Sequence, residues 1–325
     1  MRKARLKIAP EVGAAVYHCI SRVVNGERLI DDRGKEVLRK QLRQIADYSG
    51  VQIITFAVMT NHFHVLLRVP KKAALSDKEL LRRHHVLYPK PTRFQANQLD
   101  RIREQLPSNG PLAQAWRQRQ SAMMGDVSAF MKLVKQRFSI WYNRNHQRFG
   151  TLWAERFKSA LVEPSGRAVQ AVARYVDLNP VRAGLVNDPA DYRFCGYGEA
   201  CAGVKEARRG IGSIMDVRGI DRALASYRIG LFGKAAQPRA GAAAVSRESF
   251  DHVAKTGGKI PLADCLRRRI RFFSDGVVVG SRSFLAAHAA QFKKLTDRKF
   301  PPKFQSVSSD SGIMILRGLR GAGIG

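Results

Sequence analysis

The sequence predicts an α+β protein, an antiparallel sheet carrying helices on one face, and three observations support that expectation. Residues 51–59 and 62–69 read as two β-branched and aromatic strands flanking a short polar turn at Thr60-Asn61, the pattern of a β-hairpin. Val37, Leu38, Leu42 and Ile45 recur instead at helical spacing. These segments follow one another as β-α-β-β, and after a long polar stretch the series closes with α-β-α.

A strand is expected over 14–24 and a helix over 33–48, closed by Gly50. The hairpin follows and ends at Pro70. Residues 71–125 read as a polar, mostly helical insertion, with Ser76 and Glu79 forming a capping-box pattern. Asp126 is a good N-cap for a helix that aligns Val127, Phe130, Val134, Phe138 and Trp141. Another strand fits 157–162, Pro164-Ser165-Gly166 is a break, and a helix over 167–178 turns Val169, Val172 and Val176 inward. Pro180 forces Asn179 out of the helical region, so that helix stops or kinks there. With an antiparallel central hairpin, this order is ferredoxin-like, the arrangement shared with RRM sheets. Residues 1–202 would form this domain, 203–246 a connector with a Pro, Gly and Ala-rich linker at 234–246, and 247–300 a small C-terminal module of unassigned role with a turn at Ser274-Asp275-Gly276. The Ser and Gly-rich stretch 301–325 is expected to be a disordered tail.

At 325 residues and 45% hydrophobic content the chain can bury a real core, which excludes wholesale disorder. The charge is more informative. Lys and Arg number 57 against 26 Asp and Glu, a net +31, so the expected partner is a polyanion, and nucleic acid fits best because phosphates reward many distributed basic contacts. Met1–Pro10 lacks the apolar core of a signal peptide and nowhere do about eighteen apolar residues run together, so the expected setting is cytoplasmic, at the nucleoid, without a membrane. Cys19, Cys195, Cys201 and Cys265 show no C-x-x-C pair and read as packing thiols rather than a zinc site or disulfide frame.

His62-Phe63-His64 is the sharpest local feature, because alternate strand residues share a face and both imidazoles can converge on one ion or phosphate. A bare H-x-H is more often two polar residues on a wet strand face. Here Val58, Val65 and Leu67 supply the core face, so the opposite face is expected to carry both histidines without burying them. Tyr175 lies near a helix end, off the valine stripe, with its hydroxyl directed to the sheet edge or solvent; the bland alternative is a boundary tyrosine. Asn179, one turn on, would bring its side-chain oxygen near that hydroxyl, or would simply terminate the helix before Pro180. Between Asp126 and Glu155 there is no acidic residue, while Lys132, Lys135, Arg137, Arg144 and Arg148 appear with Trp141, Tyr142 and Phe149 interleaved. Phosphates could dock and bases stack there, and Arg156 and Lys158 continue the basic run.

Five blocks in order, Tyr17-His18-Cys19-Ile20-Ser21-Arg22, Met59 to Leu67, Trp141-Tyr142-Asn143-Arg144, Gly150 to Ser159 and Tyr175 to Gly184, resemble the REP-associated tyrosine transposases, a branch of the single-tyrosine HUH transposases. The resemblance covers Ala14 to Tyr197, and Arg267 to Phe284 is similar to C-terminal extensions of longer members. It implies a ferredoxin-like HUH endonuclease domain in which His62 and His64 hold a divalent metal, Mg or Mn, Tyr175 is the nucleophile and Asn179 completes the metal site. The implied activity is transposition: cleavage and rejoining of single-stranded or hairpin DNA, such as REP-like palindromes, through a 5′-phosphotyrosine. Monomer and homodimer both stay open. Two rivals remain, a non-catalytic RNA-binding sheet of similar topology and a hydrolase using water at the same histidines. Tyr142 is the reserve nucleophile.

Overall fold

The computed structural model describes residues 5–9, 12–232, 276–296, 304–307 and 312–317. Strand β1 (Ala15–Arg22) leads through a short 3-10 turn into α1 (Asp32–Ser49), whose N-cap Asp31 accepts from the Gly34 amide at 2.7 Å and whose end is turned by Gly50 at φ +70°. That left-handed φ suits glycine. Leu38, Leu42 and Ile45 of α1 are fully buried, as their spacing requires. β2 (Gln52–Val58) and β3 (His62–Val69) form the expected hairpin, closed by the Met59 amide donating to the His62 carbonyl at 2.8 Å.

The insertion is three helices, α2 (Asp77–Leu87), α3 (Arg93–Gln105) and α4 (Pro111–Met123), the first capped by Ser76 as predicted. α5 (Val127–Asn145) starts at its N-cap Asp126 and returns the chain to β4 (Lys158–Val162). α6 (Gly166–Asp177) and the single turn α7 (Asn179–Arg182) follow, with the break at Leu178 immediately before the Asn-Pro pair. The four strands are ordered β2-β3-β1-β4, every neighbouring pair antiparallel, which is the ferredoxin-like layout.

Beyond residue 202 the structure departs from expectation. The stretch 203–232 is not a plain connector: after α8 (Gly196–Cys201) it forms α9 (Lys205–Gly212) and α10 (Ile220–Phe232), which pack along β2 and α6. Nor do the described C-terminal residues make a separate sheet. β5 (Gly276–Gly280) pairs in parallel with β4, and β6 (Phe304–Ser306) and β7 (Met314–Arg317) continue outward, giving one seven-stranded sheet ordered β2-β3-β1-β4-β5-β7-β6. The tail expected to lack structure therefore supplies two strands. Glu163, just past β4, fastens the join by accepting from the Ser281 amide at 2.7 Å and its hydroxyl at 2.9 Å. The 234–246 linker, Ser274 and Asp275 of the expected turn, the first half of the Arg267–Phe284 similarity and Cys265 lie outside the described residues.

Strand periodicity sorts the sheet into two faces. Tyr17, Cys19, Phe63, Val65 and Leu67 look toward α1 and α5, where Phe63 meets Trp153 and Trp153 meets Phe138 at ring separations of 5.6 and 5.7 Å. His18, Ile20, His62, His64 and Leu66 share the other face, which α6 covers while α8 and α9 flank it along β2.

Candidate active site

The register between β1 and β3 sets His18 opposite Leu66, Ile20 opposite His64 and Arg22 opposite His62, so three histidines fall on one face within two adjacent strands. α6 lies over that face and lowers Tyr175 onto it. The Tyr175 ring stands edge-on to His64 and His18 at 5.8 and 5.9 Å, and His62 stands edge-on to His64 at 5.1 Å. Nε2 of His18 and Nδ1 of His64 are 2.9 Å apart, and Nδ1 of His62 is 2.6 Å from Oδ1 of Asn61.

One expectation about exposure is corrected here: His64 is 3% exposed rather than on a wet face. Of the two directions open to Tyr175, it takes the one toward the sheet and is 8% exposed. The reason is α6, whose Ala168, Ala171, Val172 and Tyr175 are all buried. The outer side of that helix is closed by α10, near enough that a Cβ added to Gly230 would collide with the Arg174 guanidinium.

Burial pushes the His62 imidazole down to about 4, and repulsion from Arg22 and then Arg182 adds to it. His64 lies well below its ordinary value, again chiefly through burial, with His62, His18, Arg182 and Arg22 contributing. Both rings are therefore neutral at pH 7. Asn61 Oδ1 can only accept, so Nδ1 of His62 carries the proton and its Nε2 carries the lone pair. One proton bridges His18 and His64; held on His64 Nδ1, it leaves the His64 Nε2 lone pair available as well. Arg182 places its guanidinium carbon 4.1 Å from the centre of the Tyr175 ring and donates to the Tyr175 carbonyl at 2.9 Å. Burial pushes that guanidinium down to about 10, against the pull of Tyr175.

Two neutral imidazoles, each with Nδ1 engaged by a neighbour, suit a divalent cation, because metal-bound histidine usually has its other ring nitrogen hydrogen-bonded. Among the described residues no group of three or more His, Cys, Asp or Glu side chains could hold a metal, so any further ligands must be amide, water or substrate oxygens. Asn179 meets Tyr175 differently from the expected oxygen-to-hydroxyl approach. Its amide nitrogen donates to the Tyr175 and Val176 carbonyls at 3.1 and 3.2 Å, capping α6, which leaves Oδ1 as its only ligand atom.

His18 and Arg182 lie in the motifs that carry the family resemblance, but spacing alone did not assign them a part. His18 became visible only through cross-strand register, and Arg182 only through the turn of α7. Asp177, fully buried two residues after Tyr175, accepts from Thr55 Oγ1 at 2.7 Å, from the Tyr197 amide at 3.0 Å and from the Tyr227 hydroxyl. It ties α6 to β2, α8 and α10 together. Tyr142, the reserve nucleophile, is on α5 across the sheet from the histidines, 5% exposed and stacked on His146 at 4.1 Å.

The basic residues expected to meet DNA divide into two groups. Lys132, Arg144, Arg156 and Lys158 are exposed, the last paired with Glu155 at 3.1 Å. Lys135, Arg137 and Arg148 are partly buried: Lys135 donates to the Glu155 carbonyl at 2.6 Å, and burial pushes its ammonium down to about 8. Arg137 lies over the Tyr88 ring at 5.6 Å. Cys19 and Cys195 are buried free thiols, and Cys201 is an exposed one. No helix among the described residues is long and apolar enough to cross a membrane.

A search of curated protein sequences finds no match. A solved structure described as "Structure of the REP associates tyrosine transposase bound to a REP hairpin" aligns with a TM-score of 0.40 and 13% identity, over 62% of this chain and 86% of that one. Residues 11–78, which supply β1, α1, both hairpin strands and all three clustered histidines, match the family of IS200-like transposases.

Proposed function

We propose that the chain is a DNA strand transferase of the tyrosine transposase kind, which cuts single-stranded or hairpin DNA by forming a 5′-phosphotyrosine at Tyr175 and rejoins it by the reverse step. One observation carries the reading: a tyrosine from a helix remote in sequence rests edge-on against the His64 and His18 imidazoles at 5.8 and 5.9 Å. The net charge of +31 supports a polyanionic substrate.

In the forward step the Tyr175 oxygen attacks the scissile phosphorus and the bond from phosphorus to the 3′-oxygen breaks. The phenol loses its proton and the departing 3′-oxygen gains one. The phosphodiester is exchanged rather than hydrolysed, so a 3′-hydroxyl from another strand can reverse the step without an external energy source. Tyrosine ordinarily ionises near ~10, so its attack at neutral pH needs help. Arg182, stacked on the ring, supplies positive charge beside the forming phenolate. His62 and His64 would hold a divalent ion, Mg or Mn, through their Nε2 atoms, with Asn179 Oδ1 the candidate further ligand; when bound, such an ion would supply positive charge beside the phosphate oxygens and help align the in-line attack. Tyr175, His18 and His64 are each less than a tenth exposed, which limits the water beside the attacking oxygen and favours strand transfer over hydrolysis. A nucleophile this enclosed also favours an unpaired strand over a stiff duplex.

The test uses labelled hairpin oligonucleotides carrying single-stranded flanks, incubated with Mg or Mn and then denatured. A covalent adduct mapping to Tyr175 is expected, absent in Tyr175→Phe although that variant still binds the oligonucleotide. Cleavage that persists in Tyr175→Phe would establish water as the nucleophile, and binding without any adduct in the parent protein would leave a nucleic-acid-binding sheet.

A further inference from the structure

The sequence offers three aromatic residues among the basic positions at the end of α5, and the structure separates them. Tyr142 is 5% exposed and stacked on His146, and Trp141 is half-buried between Phe138, at 5.6 Å, and the Arg33 guanidinium, at 5.9 Å. Neither can accept a base on its face. Phe149 is 93% exposed, the most exposed large hydrophobic side chain among the described residues.

That exposure is built rather than frayed. The Arg148 amide donates to the Asn143 carbonyl and the Asn143 side chain donates to the Gly150 carbonyl, both at 3.0 Å, so the loop is tied on either side of Phe149. Gly150 turns the chain at φ +86°, a left-handed conformation that favours glycine. Three residues on, the loop meets the turn after β1, the Val24 amide donating to the Leu152 carbonyl, and five residues on it meets β1 itself, the Ala154 amide donating to the Arg22 carbonyl, each at 3.0 Å. Arg22 stands opposite His62 in the β1–β3 register. Phe149 is thus five residues, about 17 Å of chain at full extension, from the residue bonded to the strand end beside His62. Arg144, at the end of α5, and Arg22, on the strand that the loop reaches, are exposed, and no acidic residue occurs between Asp126 and Glu155.

We propose that Phe149 is a stacking platform for one unpaired nucleobase next to the scissile phosphate, with the neighbouring arginines holding the flanking phosphates. This rests on the reading of the chain as a DNA strand transferase and names the part of the substrate that the loop grips. A π-face accepts any base, so the contact selects single-strandedness at that position rather than sequence. A paired base has both faces covered by its neighbours and cannot occupy the ring.

The test compares the full chain with Phe149→Ala, Phe149→Trp and Phe94→Ala, the last a control on α3 whose phenylalanine is 70% exposed but lies in the insertion. Binding is measured to hairpins with and without single-stranded flanks, and 2-aminopurine placed at successive flank positions reports stacking. Phe149→Ala is expected to weaken flanked hairpins about 5- to 150-fold, the range for loss of one stacked base, and to abolish quenching at a single position. Flankless hairpins should bind the variant within about twofold of the parent, Phe149→Trp should restore the flanked affinity, and Phe94→Ala should match the parent. Unchanged affinity for flanked hairpins, or equal loss on both substrates, overturns the platform. Adduct formation at Tyr175 is scored on the same substrates. Flank-dependent loss without any parent adduct would keep the platform and remove the transferase, while a parent adduct with an inert Phe149→Ala would do the reverse.

Discussion

Asp177 is the sharpest place to test how the helix that carries Tyr175 is held. Its carboxyl is fully buried, and burial pushes it up to about 6 from 3.8, against hydrogen bonds from Tyr227, Thr55 and the Tyr197 amide. Because the folded value is raised, the stability associated with the protonated form is complete below pH 3.8 and is lost as the pH climbs to about 6, where both states are ionised. A shift of roughly 2 units corresponds to about 3 kcal/mol. Asp177→Asn removes the titration while keeping shape: Thr55 and Tyr197 both donate to Oδ1, which the amide retains, and the new NH2 faces the Tyr227 hydroxyl, which can accept. Urea unfolding of the parent and the variant, run in parallel from pH 4 to 7.5, cancels every other titrating group. The difference in unfolding free energy should move by up to about 3 kcal/mol in favour of the variant between pH 4 and 6, then stay flat. A difference that does not vary with pH would mean that Asp177 is solvated or charged throughout, and the account of α6 as a helix pinned by a dry carboxyl would be wrong.

Two other perturbations follow from the same geometry. His18→Phe deletes the nitrogen 2.9 Å from His64 Nδ1 and should weaken Mn binding, followed by paramagnetic resonance, about 10- to 100-fold while hairpin affinity without metal is unchanged; an unaltered Mn affinity would remove His18 from any part in orienting His64. Gly196→Ala puts a Cβ 2.2 Å from Thr55 Oγ1 and 2.9 Å from Thr55 Cα, contacts that backbone cannot yield, and should cost about 1–3 kcal/mol in chemical denaturation; a silent substitution would show that α8 is free to withdraw from β2.

What was legible in the chain was local. Gly50, Ser76 and Asp126 announce helix ends through their own backbone and side-chain chemistry, and each does its expected work. The β2–β3 hairpin is equally local, with only three residues between the strands' ends. The C-terminal strands are the opposite case. β5 is a five-residue run whose partner, β4, lies more than a hundred residues earlier, and nothing within Gly276–Gly280 says that an open sheet edge awaits it. Exposure at the site failed for a related reason: alternation along 62–69 identifies a second face, but only the packing of α6 decides whether that face is wet.

The clustered histidines sharpen the point. H-x-H is visible as two residues of one strand, yet the third imidazole belongs to another strand and arrives only if β1 and β3 pair in this register. A slip of one residue would carry His18 to the face of Phe63, among the rings of Trp153 and Phe138, where neither a cation nor a phosphate could follow. The same slip would bury Cys19 or Tyr17 against Tyr175 instead. Register is held by the apolar face, where Tyr17, Cys19, Val65 and Leu67 are all 2% exposed or less, so the packing of the side remote from the chemistry decides which residues meet Tyr175. A substitution that loosens that remote core should therefore disturb the imidazole cluster before it unfolds the sheet.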